Sequence, residues 1–176
     1  PAHSEVVEAC KIIEPCNALD MGCSNGRNAL YLNQLGFNVI AVDNNPSAID
    51  MLQQIVSEEG IANIKAQVYD INNAGLGVDY GFIASTVTLM FLDPTRVDAV
   101  IADMQEHTLP GGYNLIVCAM STEEHPCPVP FAFTLKAGQL REAYEGWELI
   151  KYNEDLGTMH NGAQLQFATM LARKPG

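Results

Sequence analysis

Residues 17–43 constrain the architecture of this chain more than any other stretch. Asn17-Ala18-Leu19-Asp20-Met21 is a brief apolar run that ends in Gly22-Cys23-Ser24-Asn25-Gly26 and passes straight into Arg27-Asn28-Ala29-Leu30-Tyr31-Leu32. Such a run reads as a strand, the glycines as a tight turn, and the segment after them as a helix. Gly36 ends that helix, and Phe37-Asn38-Val39-Ile40-Ala41-Val42-Asp43 reads as a second buried strand. Two strands joined through a helix run parallel, which sets the chain on course for an α/β sheet. In open sheets of this kind ligands bind at the carboxyl ends of the strands, where a first glycine turn lets the backbone approach them closely. Asp43 lies 21 residues after Gly22, at the end of the second strand. From that position a carboxylate reaches ribose hydroxyls, so turn and acid together have the spacing of a nucleoside site.

The alternation continues. Before the first strand, Val6, Cys10 and Ile13 recur at helical spacing, and Pro15 closes a helix expected over residues 3–14. Asn45-Pro46 reads as an N-cap with proline at the first helical position, followed by Ile49, Leu52, Ile55 and Val56 up to Gly60. Strands are expected at 64–69 and 80–85. Thr95 and Asp98 have capping-box spacing ahead of a helix carrying Val97, Val100, Ile101 and Met104, and Leu109-Pro110-Gly111-Gly112 stops it. Residues 113–119 form a continuous apolar run of the kind found in a parallel strand buried on both faces. After a proline-rich acidic loop at 121–130 come a helix at 136–144 and strands at 147–152 and 165–173, with Asn161-Gly162 as the hairpin signal. The whole is a doubly wound α/β pattern of five strands and a terminal antiparallel pair, within a single domain spanning 1–176.

Composition narrows the partners. Nine Lys plus Arg against 21 Asp plus Glu give a formal net charge of −12, which repels phosphate backbones and anionic lipid surfaces, so neither nucleic acid nor membrane is expected. No apolar run approaches the length of a bilayer span. Cys10, Cys16, Cys23, Cys118 and Cys127 are odd in number and contain no Cys-x-x-Cys pair, which argues against a disulfide framework or zinc ribbon and for a reducing cytoplasm. Residues 1–5 have no basic segment leading into an apolar one, as a secretory signal would, and the start at Pro1 without a Met suggests that a leading segment is missing.

The turn departs from Gly-x-Gly-x-x-Gly, since Ser24 and Arg27 stand where the second and third glycines would be. A dinucleotide pyrophosphate is thereby disfavoured, and with it a nicotinamide-dependent oxidoreductase. Asp20 through Gly26 instead resembles the first motif of class I methyltransferases, Asp/Glu-x-Gly-x-Gly-x-Gly, with Ser24 replacing the middle glycine. More specifically, Gly22-Cys23-Ser24-Asn25-Gly26-Arg27-Asn28, residues 85–92, residues 110–117, Tyr144-Glu145-Gly146-Trp147, residues 151–155 and residues 167–174 are similar to the bacterial tellurite-resistance methyltransferases.

The resemblance implies a Rossmann-like, mostly parallel seven-stranded sheet whose last strand is antiparallel, and S-adenosyl-L-methionine as cofactor. It implies that Asp20 supports the methionine portion, that Gly22 and Gly26 give it room beside Ser24, that Asp43 holds the ribose hydroxyls, and that Asp70 takes the adenine amino group. Asn44, Ile71 and Ser85 complete the expected cofactor-binding set. It further implies methyl transfer to a tellurium or selenium oxyanion, with a small organic thiol as the alternative acceptor and a non-catalytic S-adenosylmethionine-binding domain as the alternative class. Such a transfer needs alignment and a dry pocket and no metal, and residues 85–92 are placed to line it. A homodimer is left open.

An oxyanion calls for local positive charge, and Arg27, Arg96, Arg141 and His160 are the candidates, Arg27 and His160 being taken as the catalytic pair. In the family the histidine is followed by arginines in a longer loop; here Asn161-Gly162-Ala163-Gln164 follows it, without arginine. His3 resembles an early histidine of the family. Cys127 matches a family cysteine and reads as a small packing residue, whereas Cys23 sits where backbone donors of the turn could lower its pKa.

Overall fold

The computed structural model describes residues 1–176. Its strands are β1 Asn17–Met21, β2 Asn38–Asp43, β3 Ile64–Val68, β4 Tyr80–Thr86, β5 Thr108–Met120, β6 Glu148–Thr158 and β7 Gln164–Arg173. Its helices are α1 Ser4–Ala9, α2 Arg27–Gln34, α3 Pro46–Glu58, α4 Val97–Glu106 and α5 Gln139–Ala143, with one-turn helices at Ile71–Asn73 and Leu89–Phe91. The strands form one sheet in the order β3-β2-β1-β4-β5-β7-β6. β1 to β5 pair in parallel, and β7 runs antiparallel between β5 and β6, so β6 points the same way as the first five. The chain lays β2 and β3 to one side of β1 and returns to set β4 on the other. The order therefore reverses between β1 and β4, and a crevice opens at their carboxyl ends.

Alternation along the strands feeds two cores. Ala18, Val39, Ala41, Phe82, Ala84 and Leu115 pack with Val6 and Ala9 of α1, Ala29 and Leu32 of α2, and Ile49 and Leu52 of α3. Their neighbours Leu19, Met21, Val42, Ile83, Ile116 and Cys118 face the other way, against Val97, Val100, Ile101 and Met104 of α4 and Leu140 of α5. A period of two on each strand thus meets a helical stripe on each face. The apolar run at 113–119 hides one polar side chain: Asn114 is fully buried, donates to Thr108 Oγ1 at 2.7 Å, and accepts from Tyr144 O–H at 2.7 Å.

Three local expectations are corrected. Thr95 does not cap α4; its amide and hydroxyl both donate to Asp93, at 2.9 and 2.8 Å, and α4 starts after Arg96 without a side-chain cap. Leu109 to Gly112 does not stop the helix, which has already ended at Glu106; the tetrapeptide bulges out of β5, whose register with β4 jumps from Tyr80–Thr108 to Phe82–Tyr113. The leading helix is shorter than its apolar period implied, because His3 caps it through Nδ1 and a turn follows Ala9. At the far edge, the expected hairpin forms with Gly162 at φ +83°, and β6 runs on to Thr158 because β7 pairs along that whole length. No helix is long and apolar enough to cross a membrane.

Candidate functional site

Where the strand order reverses, two clefts adjoin. The first, of about 320 Å³, gathers Gly22 and Ser24 after β1, Asp43 and Asn44 after β2, Asp70, Ile71 and Asn72 after β3, and Val87, Thr88, Phe91 and Leu92 after β4. The second, of about 430 Å³, is lined by Pro1, His3, Cys23, Asn25, Arg27, Asn28 and Thr86, and shares Gly22, Ser24 and Val87 with the first.

Gly22 holds φ at +88°, and a Cβ there would lie 2.2 Å from Thr88 Oγ1, so only glycine permits this close approach of the β1 and β4 ends. Gly26, at φ +87°, lines neither cleft; a Cβ on it would run into Leu52 Cδ1 at 2.5 Å, and its smallness draws α2 onto α3. Ser24 replaces a glycine yet takes φ +49°, held there by its amide, which donates to Asp43 Oδ2 at 2.8 Å. Asp43 Oδ1 accepts from the Asn45 amide at 3.0 Å. Each oxygen keeps one acceptor direction, which matches a pair of neighbouring hydroxyls. Asp70 Oδ1 accepts from the Asn72 amide at 3.0 Å, leaving Oδ2 to a ligand, while buried Ile71 and exposed Phe91 give the cleft apolar walls.

Beneath the turn lie two buried polar atoms without a protein partner, Asp20 Oδ2 and Ser85 Oγ. Asp20 pairs with Ala84 across β1 and β4, so both atoms sit at the same end of adjacent strands. Burial pushes the Asp20 carboxyl up to about 7, the Asp43 charge adds to that rise, and a hydrogen bond from the Ala29 amide opposes it. An orphaned buried polar group costs about 1–3 kcal/mol. A cationic or hydrogen-bonding group at the turn would offset it.

The cations separate by engagement. Arg96 donates to Asn72 O and Asn73 O, at 2.8 and 3.5 Å, and holds the 71–73 turn in place. Arg141 stacks on the Tyr152 ring at 5.1 Å. Arg27 is exposed in the second cleft, and His160 is exposed in the β6–β7 turn, lining neither cleft. The structure also corrects the expectation for Cys23: burial, followed by the Asp20 and Asp43 charges, pushes its thiol far up, so it is an inert packing group. Cys127 donates to Val129 O at 3.3 Å, outside both clefts.

Two contributors are not distinguished by their sequence signal. Val87, part of the 85–92 stretch, lies at φ +56°, a genuine outlier for a β-branched residue, and forms the wall common to both clefts. In that conformation its amide N–H donates to Val117 O at 2.7 Å. Asn28 joins three elements, accepting from the His3 amide at 2.8 Å and donating to Thr86 Oγ1 at 3.1 Å.

This arrangement agrees with what the chain is similar to. The model of the family described as "Tellurite resistance protein TehB" matches residues 1–171. A probable S-adenosyl-L-methionine-dependent methyltransferase TehB of Haemophilus influenzae is 49% identical over 98% of this chain and 62% of its own length, and hemagglutinin 1 of Eikenella corrodens is 48% identical over 99% and 60%. The crystal structure of TehB from Haemophilus influenzae superposes with a TM-score of 0.94 over 98% of this chain and 62% of that one, at 49% identity. The N-methyltransferase NodS of Bradyrhizobium japonicum, at 16% identity and TM-score 0.79, shares the fold alone. The chain spans about three fifths of the length of the curated relatives it matches. With a class I methyltransferase sheet and a family match along almost its whole length, the chain belongs to the TehB family.

Proposed function

We propose that this chain is an S-adenosylmethionine-dependent methyltransferase acting on a small anionic acceptor, with tellurite and selenium oxyanions as the favoured class. The observation that carries the proposal is the first cleft, where three loops far apart in sequence bring Gly22, Asp43 and Asp70 together above the orphaned Asp20 oxygen. These residues fit the cofactor's chemistry. Asp43 offers two acceptors to vicinal hydroxyls, Asp70 one to an amine, Ile71 and Phe91 flank a planar ring, and Asp20 with Ser85 can compensate a polar amino-acid end. Relatives named as probable S-adenosyl-L-methionine-dependent methyltransferases support the same donor. The five cysteines form no disulfide, which supports the cytoplasm as the compartment.

When bound, S-adenosylmethionine supplies a methyl group on a cationic sulfur, which an acceptor lone pair takes as the sulfur keeps the electrons of the broken bond. With tellurite the tellurium lone pair becomes the new bond to carbon, and neither a proton nor an external electron is required. The protein's task is then alignment and exclusion of water, to which the Gly22–Val87 wall contributes. Calorimetric titration with S-adenosylhomocysteine and with NAD tests the cofactor side, and turnover against tellurite, selenite and a panel of thiols tests the acceptor. Preference for NAD would refute the donor assignment; turnover with thiols alone would move the acceptor to an organic sulfur.

A further inference from the structure

At the end of the sheet opposite the two clefts, where β4 and β5 begin, the last turn of α4 gathers titratable side chains that neither cleft uses. Asp103, Glu106 and His107 stand at positions i, i+3 and i+4, on one helix face, and each offers a ligand atom within 4.8 Å of the others. Asp79, the residue before β4, reaches the same imidazole from the neighbouring connection. Three carboxylates thus converge on one imidazole, and no lysine or arginine pairs with any of them. Lys174, the cation at this end of α4, is spent on the carbonyls of Gln105 and Thr108, at 2.6 and 2.8 Å.

The imidazole is oriented. A carboxylate only accepts, so the 2.9 Å contact between His107 Nδ1 and Asp79 Oδ1 puts a proton on Nδ1 and, in the neutral ring, turns the Nε2 lone pair toward Asp103. The Asp103 side chain is only 11% exposed; its Oδ2 accepts the Leu76 amide at 3.0 Å, and its Oδ1 faces Nε2 at 3.5 Å. That gap exceeds the usual N–H···O range of about 2.7–3.2 Å, and two acceptors facing one another repel. It is close to the separation of about 3.4 Å between neighbouring ligand atoms around a tetrahedral ion bound at about 2.0–2.1 Å. A carboxylate on the far ring nitrogen, as Asp79 is here, is the partner that fixes the tautomer and raises the basicity of a metal-binding histidine. Exposed Glu106 supplies a third ligand, and the negative end of the α4 dipole favours a cation.

We infer that Asp103, Glu106 and His107 form a structural site for a divalent first-row transition cation of the zinc type, with water as fourth ligand and Asp79 orienting the imidazole. One imidazole with two carboxylates suits zinc better than calcium or magnesium, which take oxygen ligands throughout. The ion clamps the connection into β4 onto α4, where Asp103 holds the Leu76 amide, His107 holds Asp79, and His107 O accepts the Tyr80 amide at 2.8 Å. The inference is independent of the methyl-transfer reading, because the site lies at the amino ends of the strands.

The test uses the full chain, stripped with EDTA, and zinc chloride in competition with a chromophoric chelator at neutral pH. One zinc per chain is expected to bind, with affinity reduced about tenfold or more in Glu106→Gln and lost in His107→Gln. Asp79→Asn, which keeps an acceptor for Nδ1 but not the charge, should weaken binding by about 10–100-fold. Zinc should raise the urea midpoint of wild type more than that of Glu106→Gln, whose midpoint without zinc should match wild type because the carboxylate removed is exposed. Cobalt(II) as a second probe separates this site from the five free cysteines, since it should show d–d absorption without a thiolate charge-transfer band. A thiolate band in wild type, or failure to compete with the chelator, overturns the inference. So does equal zinc affinity in wild type, Glu106→Gln and His107→Gln with a midpoint lowered in His107→Gln whether or not zinc is present, which would make His107 a protonated bridge between Asp79 and Asp103.

Discussion

Asp20→Asn isolates the electrostatics under the glycine turn. The substitution keeps shape and the acceptor facing the Ala29 amide but removes a carboxyl that burial pushes from 3.8 up to about 7. A group raised in the folded state holds its proton after the unfolded chain has lost it. Between those two values the native protein binds more protons than the unfolded one, so stability falls as pH rises and the loss is complete above the folded value. At about 1.4 kcal/mol per unit, the full penalty is about 4 kcal/mol, of which roughly 2.5 kcal/mol develops between about pH 5 and about pH 8. The amide that replaces the carboxyl does not titrate. Urea denaturation of both proteins at those two pH values should therefore show Asp20→Asn gaining on wild type by about 2–3 kcal/mol on going to the higher pH. On the reading proposed above, a bound cation at the turn lowers the carboxyl again, so saturating S-adenosylmethionine should flatten the wild-type pH dependence and leave that of the variant unchanged. Parallel pH profiles for the two proteins without ligand would refute the reasoning, because they would mean that Asp20 is solvated or already compensated.

Two further substitutions bear on the frame around the site. Tyr144→Phe removes the 2.7 Å donor to buried Asn114 and should cost about 1–3 kcal/mol in urea denaturation, with turnover unaffected because the network lies on the α4 and α5 side. Val87→Gly relieves a left-handed conformation worth about 1–3 kcal/mol, against about 0.5–1 kcal/mol for the added freedom of the unfolded chain. Since Val87 is 39% exposed and loses little packing, the variant should be as stable as wild type or more so, yet turn over more slowly for want of the wall between the clefts; a parallel fall in stability and turnover would argue against stored strain.

The order of elements is legible in the sequence because glycine, proline and apolar period agree along most of the chain: Gly22 turns β1 into α2, Asn45-Pro46 opens α3 with its cap, and Gly162 closes the last hairpin. Asp43 is legible for the same reason, as the acid that ends a recognisable strand. What sequence does not separate are residues whose meaning depends on long-range partners. Arg27, Arg96 and Arg141 are equivalent as letters; only the fold shows Arg96 spent on carbonyls of Asn72 and Asn73 and Arg141 on a ring in a different element. Cys23 sits among turn amides in sequence, but in space burial in the core, and after it the carboxylates of Asp20 and Asp43, push its thiol up. Thr95 carries the right spacing for a cap, and Asp93 outcompetes it as the local acceptor.

The departures from local rules are not scattered. Both buried polar side-chain atoms without a partner, Asp20 Oδ2 and Ser85 Oγ, lie at the carboxyl ends of β1 and β4. Of the four non-glycine residues at positive φ, Asn63 belongs to a type that tolerates it and Ala74 closes a single turn, leaving Ser24 and Val87, which both line both clefts. Arg27, a guanidinium in the first turn of α2, which has no acidic residue of its own, is there as well. Each of these costs of order 1 kcal/mol or more, and none is required by a doubly wound sheet, whose two cores satisfy packing without them. Strain, orphaned polarity and misplaced charge that coincide on one edge of an otherwise consistent fold mark where the chain gives up stability for a ligand. Gly22, Ser24 and Val87, common to the cleft that carries Asp43 and Asp70 and to the one that carries Arg27, are where these departures concentrate.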